Sequence, residues 1–196
     1  MNNLYRIIGV FDGKVKLIKV SSLGSNALDS NGPAGWSTAN LNTTYLNITY
    51  LSNIGSFSDK IAEITWKAGG RGEKYFRDVN ASGVYNYELI DVSSVTNSSA
   101  KVGLMYVSDY RFAADYSTWG LYGYSNNQNN WMCLGLDEWT ISRNTDFSYW
   151  YIINSSGGLD SRTSSSSLAV RPVFYLNSSV TYVSGEGTST NPYRIN

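Results

Sequence analysis

The sequence predicts one α+β domain that spans residues 1 to 196. Three observations support this fold class: a hairpin pattern at the start, two helical patterns in the first third, and short strand patterns after them. The chain is long enough to enclose a core, and no charged or proline-rich linker divides it. Because the first residues run directly into a strand pattern, we expect a fragment of a longer chain.

The first third is expected to contain the hairpin and both helices. Residues 4 to 20 read LYRIIGVFDGKVKLIKV, in which two β-branched runs flank Asp12 and Gly13, a dipeptide that favours a type I′ turn. Apolar residues recur at helical spacing within residues 37 to 52, which predicts an amphipathic helix. A shorter helix is predicted over residues 58 to 65.

The remainder of the chain favours strands separated by long loops. Strand patterns rich in β-branched and aromatic residues cover six segments: 84 to 90, 101 to 107, 130 to 136, 138 to 143, 168 to 176 and 180 to 183. Residues 108 to 129 and 144 to 167 are expected to form loops. Loops of this length in a compact domain tend to carry function.

Composition excludes several classes of function. The 15 basic and 15 acidic residues cancel, which gives no reason to expect nucleic acid as a partner. No histidine is present, and Cys133 is the single cysteine, so histidine-based catalysis, an intrachain disulfide and a cysteine-rich metal site are excluded. We therefore predict no cofactor, no metal, and no direct insertion into a membrane.

Charged residues on the predicted strands are expected to have structural roles. Lys14, Lys16 and Lys19 in KVKLIK are typical of a solvated strand face. Arg143 and Arg171 lie beside aromatic residues, and we expect each guanidinium to pack on a ring or to pair with a carboxylate such as Glu138. Two tryptophans within strand patterns are also predicted to be structural: Trp131 and Trp139.

Carboxylates are the natural acid and base candidates in a chain without histidine. Asp137 and Glu138 are adjacent, so on a strand their side chains would point to opposite faces. The other loop aspartates show no spacing that sets two of them across a substrate. A carboxylate-based glycosidase is therefore the least favoured of the functions considered.

The two long loops are rich in aromatic, asparagine and serine residues. Tyrosine and tryptophan provide large contact areas with few torsions to restrict, and small polar residues provide adaptable hydrogen bonds. This composition predicts a ligand-binding surface. Its candidate residues are Tyr124, Asn126, Asn127, Asn129, Asp146, Ser148, Tyr149, Trp150, Tyr151, Asn154, Asp160, Arg162 and Ser164.

Several segments together resemble a module found in surface proteins of gut Gram-positive bacteria, whose activity is unassigned. They are LYRIIGVFDGKVKLIK, KIAEITWKAGG, KVGLMYVSDY, NNWMCLGLDEWTISR and VRPVFYLNSSVTYVSGEGTSTNPYRI. The pairing of EWTISR with VRPVFYL is similar to the closing strands of C-type-lectin-like folds. That group includes formylglycine-generating-enzyme-like domains and the variable proteins of diversity-generating retroelements.

The resemblance implies paired N- and C-terminal strands, two helices on the sheet, and a binding excursion at residues 144 to 167. It also implies that retroelement mutagenesis diversifies this surface, although an AT-rich genome would produce the same composition. The expected function is non-catalytic recognition of a glycan or protein on another cell or surface. The expected location is extracellular, at a cell surface or on a phage particle. A structural spacer in a large bacterial surface protein is the alternative.

Overall fold

The computed structural model describes residues 4–32, 35–68, 75–90, 96–122, 129–144 and 149–196. Within these ranges the protein is a mixed α+β structure with many short strands and few helices. The predicted fold class is thus confirmed at the level of α+β.

The first sheet is built on the N-terminal hairpin that the sequence predicts. Asp12 and Gly13 both have positive φ angles, 49° and 73°, as a type I′ turn requires. The sheet order is β1-β2-β12-β4, and β7 also pairs with β12. Its strands are β1 (Tyr5–Phe11), β2 (Lys14–Lys19), β4 (Ile61–Ala62), β7 (Val102–Gly103) and β12 (Val173–Leu176).

The second sheet has the order β10-β9-β8-β11-β3. Its strands are β3 (Ser25–Ala27), β8 (Glu138–Arg143), β9 (Tyr149–Ile153), β10 (Leu159–Thr163) and β11 (Ser167–Ala169). The pairing of β11 with β8 is parallel, and the other pairings in this sheet are antiparallel. Two further ribbons pair β5 (Ile64–Ala68) with β6 (Thr96–Ala100), and β13 (Tyr182–Ser184) with β14 (Arg194–Ile195).

The predicted first helix is present as a π-helix at Leu41–Tyr50 that continues into α1 (Leu51–Asn53). The later helical segments are α2 (Ala81–Tyr85), a π-helix at Asn86–Ile90, and α3 (Val107–Phe112). Short 3-10 turns occupy Gly55–Lys60, Phe76–Asp78 and Tyr116–Thr118. Within the described ranges, no helix is long and apolar enough to cross a bilayer.

The predicted second helix and the predicted strand at residues 84 to 90 are wrong. Ile61 lies in β4 because its strand pairs with Leu176 of β12, a long-range contact that outweighs local helical periodicity. The segment at 84 to 90 is helical, and this places Val84 and Glu88, four residues apart, in buried positions.

The predicted strand at residues 130 to 136 is a turn. Asn130 accepts a hydrogen bond from the Met132 N–H and donates one to the Tyr110 carbonyl, and Gly135 has a φ of 73°. In the segment at 101 to 107 only Val102–Gly103 is a strand, because Val107 begins α3.

The excursion predicted as a loop at residues 144 to 167 contains regular structure. Tyr149–Ile153 and Leu159–Thr163 form a hairpin, β9–β10, whose partner strands align from Tyr149 opposite Thr163 to Ile153 opposite Leu159. One buried cluster joins residues of both sheets and of the helices, among them Ile18, Trp66, Trp139 and Phe174. The β9–β10 hairpin therefore belongs to the folded core of the described chain.

Candidate functional site

Two of the three aromatic residues expected to contact ligand face the core. Trp150 and Tyr151 are each 1% exposed, while Tyr149 is 39% exposed. The Tyr151 ring stacks on Phe76 with a centroid distance of 4.6 Å, and its hydroxyl accepts a hydrogen bond from the Phe76 N–H. The expectation that Trp150 and Tyr151 supply exposed stacking area is therefore wrong, because packing on both faces of β9 buries them.

Asn154 and Ser164 are also engaged within the fold. The Asn154 side-chain oxygen accepts hydrogen bonds from the N–H groups of Ser156 and Gly158, so this residue closes the β9–β10 turn. Ser164 is 3% exposed and its hydroxyl donates to the Gly32 carbonyl at 2.9 Å. Ser164 is thus a structural residue, in contrast to its expected place on a ligand surface.

Asp160 and Arg162 lie on β10 in a half-exposed ion cluster. The Arg162 guanidinium is 2.7 Å from the Asp160 carboxylate and 3.7 Å from that of Asp137. Burial alone would raise the pKa of Asp160, but the Ser161 N–H and the Arg162 guanidinium reverse this, so the pKa is lowered. A glycosidase general acid needs the opposite shift.

Other predicted ligand-binding residues lie outside the described residues or apart from this hairpin. Asn129 is described and is exposed. The predicted residues outside the described ranges are Tyr124, Asn126, Asn127, Asp146 and Ser148.

The four residues predicted to be structural have distinct surroundings. Trp139 is fully buried, and its indole N–H donates to the Asn26 carbonyl. The Arg143 guanidinium lies 5.7 Å from the centroid of the Trp150 ring. Trp131 differs from its prediction: it lies in the turn after Asn130 and is 37% exposed.

Arg171 forms a buried ion pair with Glu138, the carboxylate that the sequence suggests as its partner. Its guanidinium donates to both carboxylate oxygens of Glu138, at 2.6 and 2.7 Å, and to the Met132 carbonyl. Burial raises the pKa of Glu138, and the charge of Arg171 partly opposes that rise. This pair ties the start of β8 to the segment between β11 and β12.

A pocket of about 530 Å³ opens between the N-terminal hairpin and the helices α2 and α3. We call it the Lys16 pocket. Its lining residues are Ile8, Phe11, Lys16, Ser82, Tyr85, Asn86, Leu89, Ser108, Asp109, Phe112, Ala113, Trp131 and Tyr175. Its volume and its mainly apolar walls with a few polar groups match those of small-ligand sites in proteins.

Lys16 and Asp109 form a buried ion pair in this lining. The Lys16 Nζ lies 2.6 Å from the Asp109 carboxylate, and the two side chains are 2% and 6% exposed. The ammonium also lies 4.7 Å from the centroid of the Tyr106 ring and 5.5 Å from that of Tyr175. Burial opposes the charge on Lys16, but the Asp109 carboxylate and the Tyr175 hydroxyl outweigh it, so the pKa of Lys16 is raised.

Hydrogen bonds fix the start of α3, and with it Ser108 and Asp109. The Asp109 carboxylate accepts a hydrogen bond from the Tyr106 N–H at 2.9 Å. Glu88 accepts from the N–H groups of Val107 and Ser108, and from the Ser142 hydroxyl. Complete burial raises the pKa of Glu88 to about 7. The polar groups of the pocket are thus held in place before any ligand binds.

Sequence reasoning missed the Lys16 pocket. The three lysines were expected on a solvated face, yet Lys16 and Lys19 are buried. Lys16 pairs with a residue 93 positions away, and no local pattern encodes such a contact. The one local signal is the apolar surroundings of Lys16, which stands between Val15 and Leu17.

Comparisons with known proteins identify no relative of this chain. The chain matches no protein-family model, no curated protein and no solved structure. Among the described residues, no group of three or more acidic or cysteine side chains is arranged to hold a metal ion.

Proposed function

We propose that this domain is a non-catalytic recognition module that binds a glycan, and that the Lys16 pocket holds one of its sugar rings. The observation that carries the proposal is the Lys16–Asp109 pair in the lining of an aromatic-walled pocket. The proposal keeps the predicted role in ligand recognition. The proposed binding site is this pocket, in place of the β9–β10 hairpin.

The ion pair suits a sugar because of its hydrogen-bonding character. An ammonium only donates hydrogen bonds, and an ionised carboxylate only accepts them. A pair of neighbouring sugar hydroxyls both donates and accepts, so it complements the two groups at once. Since the charges of Lys16 and Asp109 cancel, the pair favours a neutral ligand over an ion.

The walls suit the apolar faces of a sugar ring. Phe11, Tyr85, Phe112, Trp131 and Tyr175 all line the pocket. Trp131 and Phe11 are 37% and 38% exposed, so both offer contact area that a ligand can cover. Burial of aromatic surface supplies affinity, and the polar groups supply orientation.

The C-type-lectin-like fold and the surface location form part of the same proposal. Pairing of the N-terminal hairpin with the late strand β12 supports the fold, since Ile18 lies opposite Val173 and Leu17 opposite Phe174. Such a module would act at a cell surface or on a phage particle.

A glycan array followed by calorimetry tests the proposal. We expect the purified domain to bind a neutral glycan, and Trp131→Ala to weaken that binding by about tenfold or more, as loss of an aromatic anchor does. Tyr149→Ala is the matched control, because Tyr149 is about as exposed as Trp131 but does not line the pocket. The proposal fails if no glycan binds, or if Tyr149→Ala weakens binding and Trp131→Ala does not.

The structural spacer is the second candidate, and one observation favours it. Trp150 and Tyr151 are buried, as expected if the aromatic residues of this region serve to build the fold. A spacer would bind none of the glycans or host-surface proteins on an array.

A further inference from the structure

We infer that a second site, a basic groove between the N-terminal hairpin and the C-terminal segment, binds an extended acidic peptide. The groove has a volume of about 1300 Å³ and lies between this hairpin and the segment that contains β13 and β14. Its size exceeds that of a typical pocket for a single small ligand and suits a linear polymer.

The groove and the Lys16 pocket are lined by different residues of β2. Side chains alternate between the faces of a strand, so Val15 and Leu17 face away from Lys16. Val15 and Leu17 line the groove, whereas Lys16 lines the pocket. The two cavities adjoin at Trp131, which lines both, but the cations of the groove do not line the pocket, so the assignment of the groove does not depend on glycan binding.

The charge of the groove is one-sided although the protein as a whole is neutral. Arg6, Lys14 and Arg194 line it, and no carboxylate of the described residues does. The neighbouring acidic residues in sequence, Asp12 and Glu186, are not part of its lining.

None of these three cations forms an ion pair with a carboxylate in the described parts of the chain. The described cations that do form ion pairs lie outside the groove, as do their carboxylate partners. Uncompensated positive charge along a groove attracts a partner of opposite charge and raises its rate of association.

One of the three cations is held in place by the fold. The Arg6 guanidinium donates to the Trp131 carbonyl at 2.9 Å and lies 5.8 Å from the centroid of the Trp131 ring. A guanidinium fixed in this way retains further N–H groups that can bind a carboxylate. Less side-chain freedom is then lost when an acidic residue binds.

The borders of the groove favour a polypeptide over a polysaccharide. β1 is the outermost strand of its sheet, and β13 and β14 pair only with each other within the described chain. Strand edges of this kind present backbone N–H and C=O groups that an extended peptide can pair with. Tyr182 and Tyr193, which are exposed and line the groove, would contact its alternate side chains.

Fluorescence anisotropy with a labelled peptide of alternating Glu and Thr tests this inference. We expect the intact domain to bind this peptide and not the matched peptide of alternating Lys and Thr. Lys14→Glu and Arg194→Glu should each weaken binding by about tenfold. Lys67→Glu is the control, because Lys67 is exposed outside the groove, and it should change binding by about twofold or less.

Competition with polygalacturonate separates a peptide site from a site for acidic glycans. We expect polygalacturonate to compete weakly. The inference is wrong if the Glu-Thr peptide fails to bind, if the Lys14 and Arg194 variants bind it as the unmodified domain does, or if polygalacturonate binds more tightly. If a charge reversal unfolds the domain, the milder variants Lys14→Gln and Arg194→Gln take its place. They should also weaken binding of the Glu-Thr peptide.

Discussion

The β9–β10 hairpin and the Lys16 pocket combine the same kinds of residue in opposite arrangements. In the hairpin, Trp150 and Tyr151 are buried, and the Arg162–Asp160 pair lies outside with side chains 40% and 33% exposed. In the pocket, the aromatic residues form the walls and the Lys16–Asp109 pair is buried with exposures of 2% and 6%. Aromatic density alone therefore does not distinguish a folded core from a binding surface, and the two regions differ in whether the rings or the ion pair are buried.

The degree of burial also determines how much each ion pair matters for the stability of the fold. Water screens the charges of the Arg162–Asp160 pair, and exposed pairs of this kind contribute little to stability. The Lys16–Asp109 pair lies in a medium of lower polarity, where each charge requires its partner. The two regions should consequently respond differently to the same types of substitution.

Truncation of a buried aromatic side chain in the β9–β10 hairpin should have the largest effect on stability. Trp150→Ala is expected to lower the free energy of unfolding by about 3 to 5 kcal/mol, because it opens a cavity in the core. Tyr149→Ala should cost about 1 kcal/mol or less, since that side chain is 39% exposed. Urea unfolding followed by circular dichroism measures both. Equal losses in the two variants would contradict the burial difference along β9.

Breaking the buried ion pair should have an effect of similar or slightly smaller size. Lys16→Met is expected to cost about 3 to 5 kcal/mol, because it leaves the Asp109 carboxylate buried without its cation. Arg162→Met removes a cation from the exposed pair and should cost about 1 kcal/mol or less. If both substitutions cost the same in urea unfolding, the contrast between the two ion pairs is incorrect.

Glu88, next to the pocket, should make stability depend on pH. Its pKa is raised from 4.5 to about 7, so the folded protein binds an extra proton between these values. Glu88 therefore makes its full contribution to the free energy of unfolding below about pH 4.5. That free energy decreases as pH rises toward 7. The expected loss is up to about 3 kcal/mol.

The Glu88 effect can be isolated from those of other carboxylates. The free energy of unfolding of Glu88→Gln, measured from pH 4 to 8, should lack this decrease. The difference between the unmodified protein and the variant then gives the contribution of Glu88. A flat difference across this range would show that Glu88 titrates near its usual pKa.

Local sequence signals predicted the parts of the fold that local physics determines. The Asp12-Gly13 turn and the strand at 138 to 143 are confirmed, because turn chemistry and β-branched runs act over a few residues. The segment at 84 to 90 was mistaken for a strand because tertiary packing, which buries Glu88 against α3 and β8, decides its conformation.

The site was harder to predict than the fold. Tyr149, Trp150 and Tyr151 look alike in sequence, and only the strand pairing of β9 with both β8 and β10 determines which of them is buried. Lys16 and Asp109 are separated by 93 positions, and their pairing depends on the tertiary fold. The apolar neighbours of Lys16 indicate burial, but nothing local to the strand indicates that Lys16 lines a pocket.

Nuclear magnetic resonance mapping tests the central claim most directly. The labelled domain is titrated with the neutral glycan that binds best on the array, and backbone amide and indole N–H shifts are followed. We predict that the largest changes occur at Trp131, Ser108 and Lys16, with little change along β9 and β10. Shifts concentrated at Tyr149, Asp160 and Arg162, with none around the Lys16 pocket, would contradict the account.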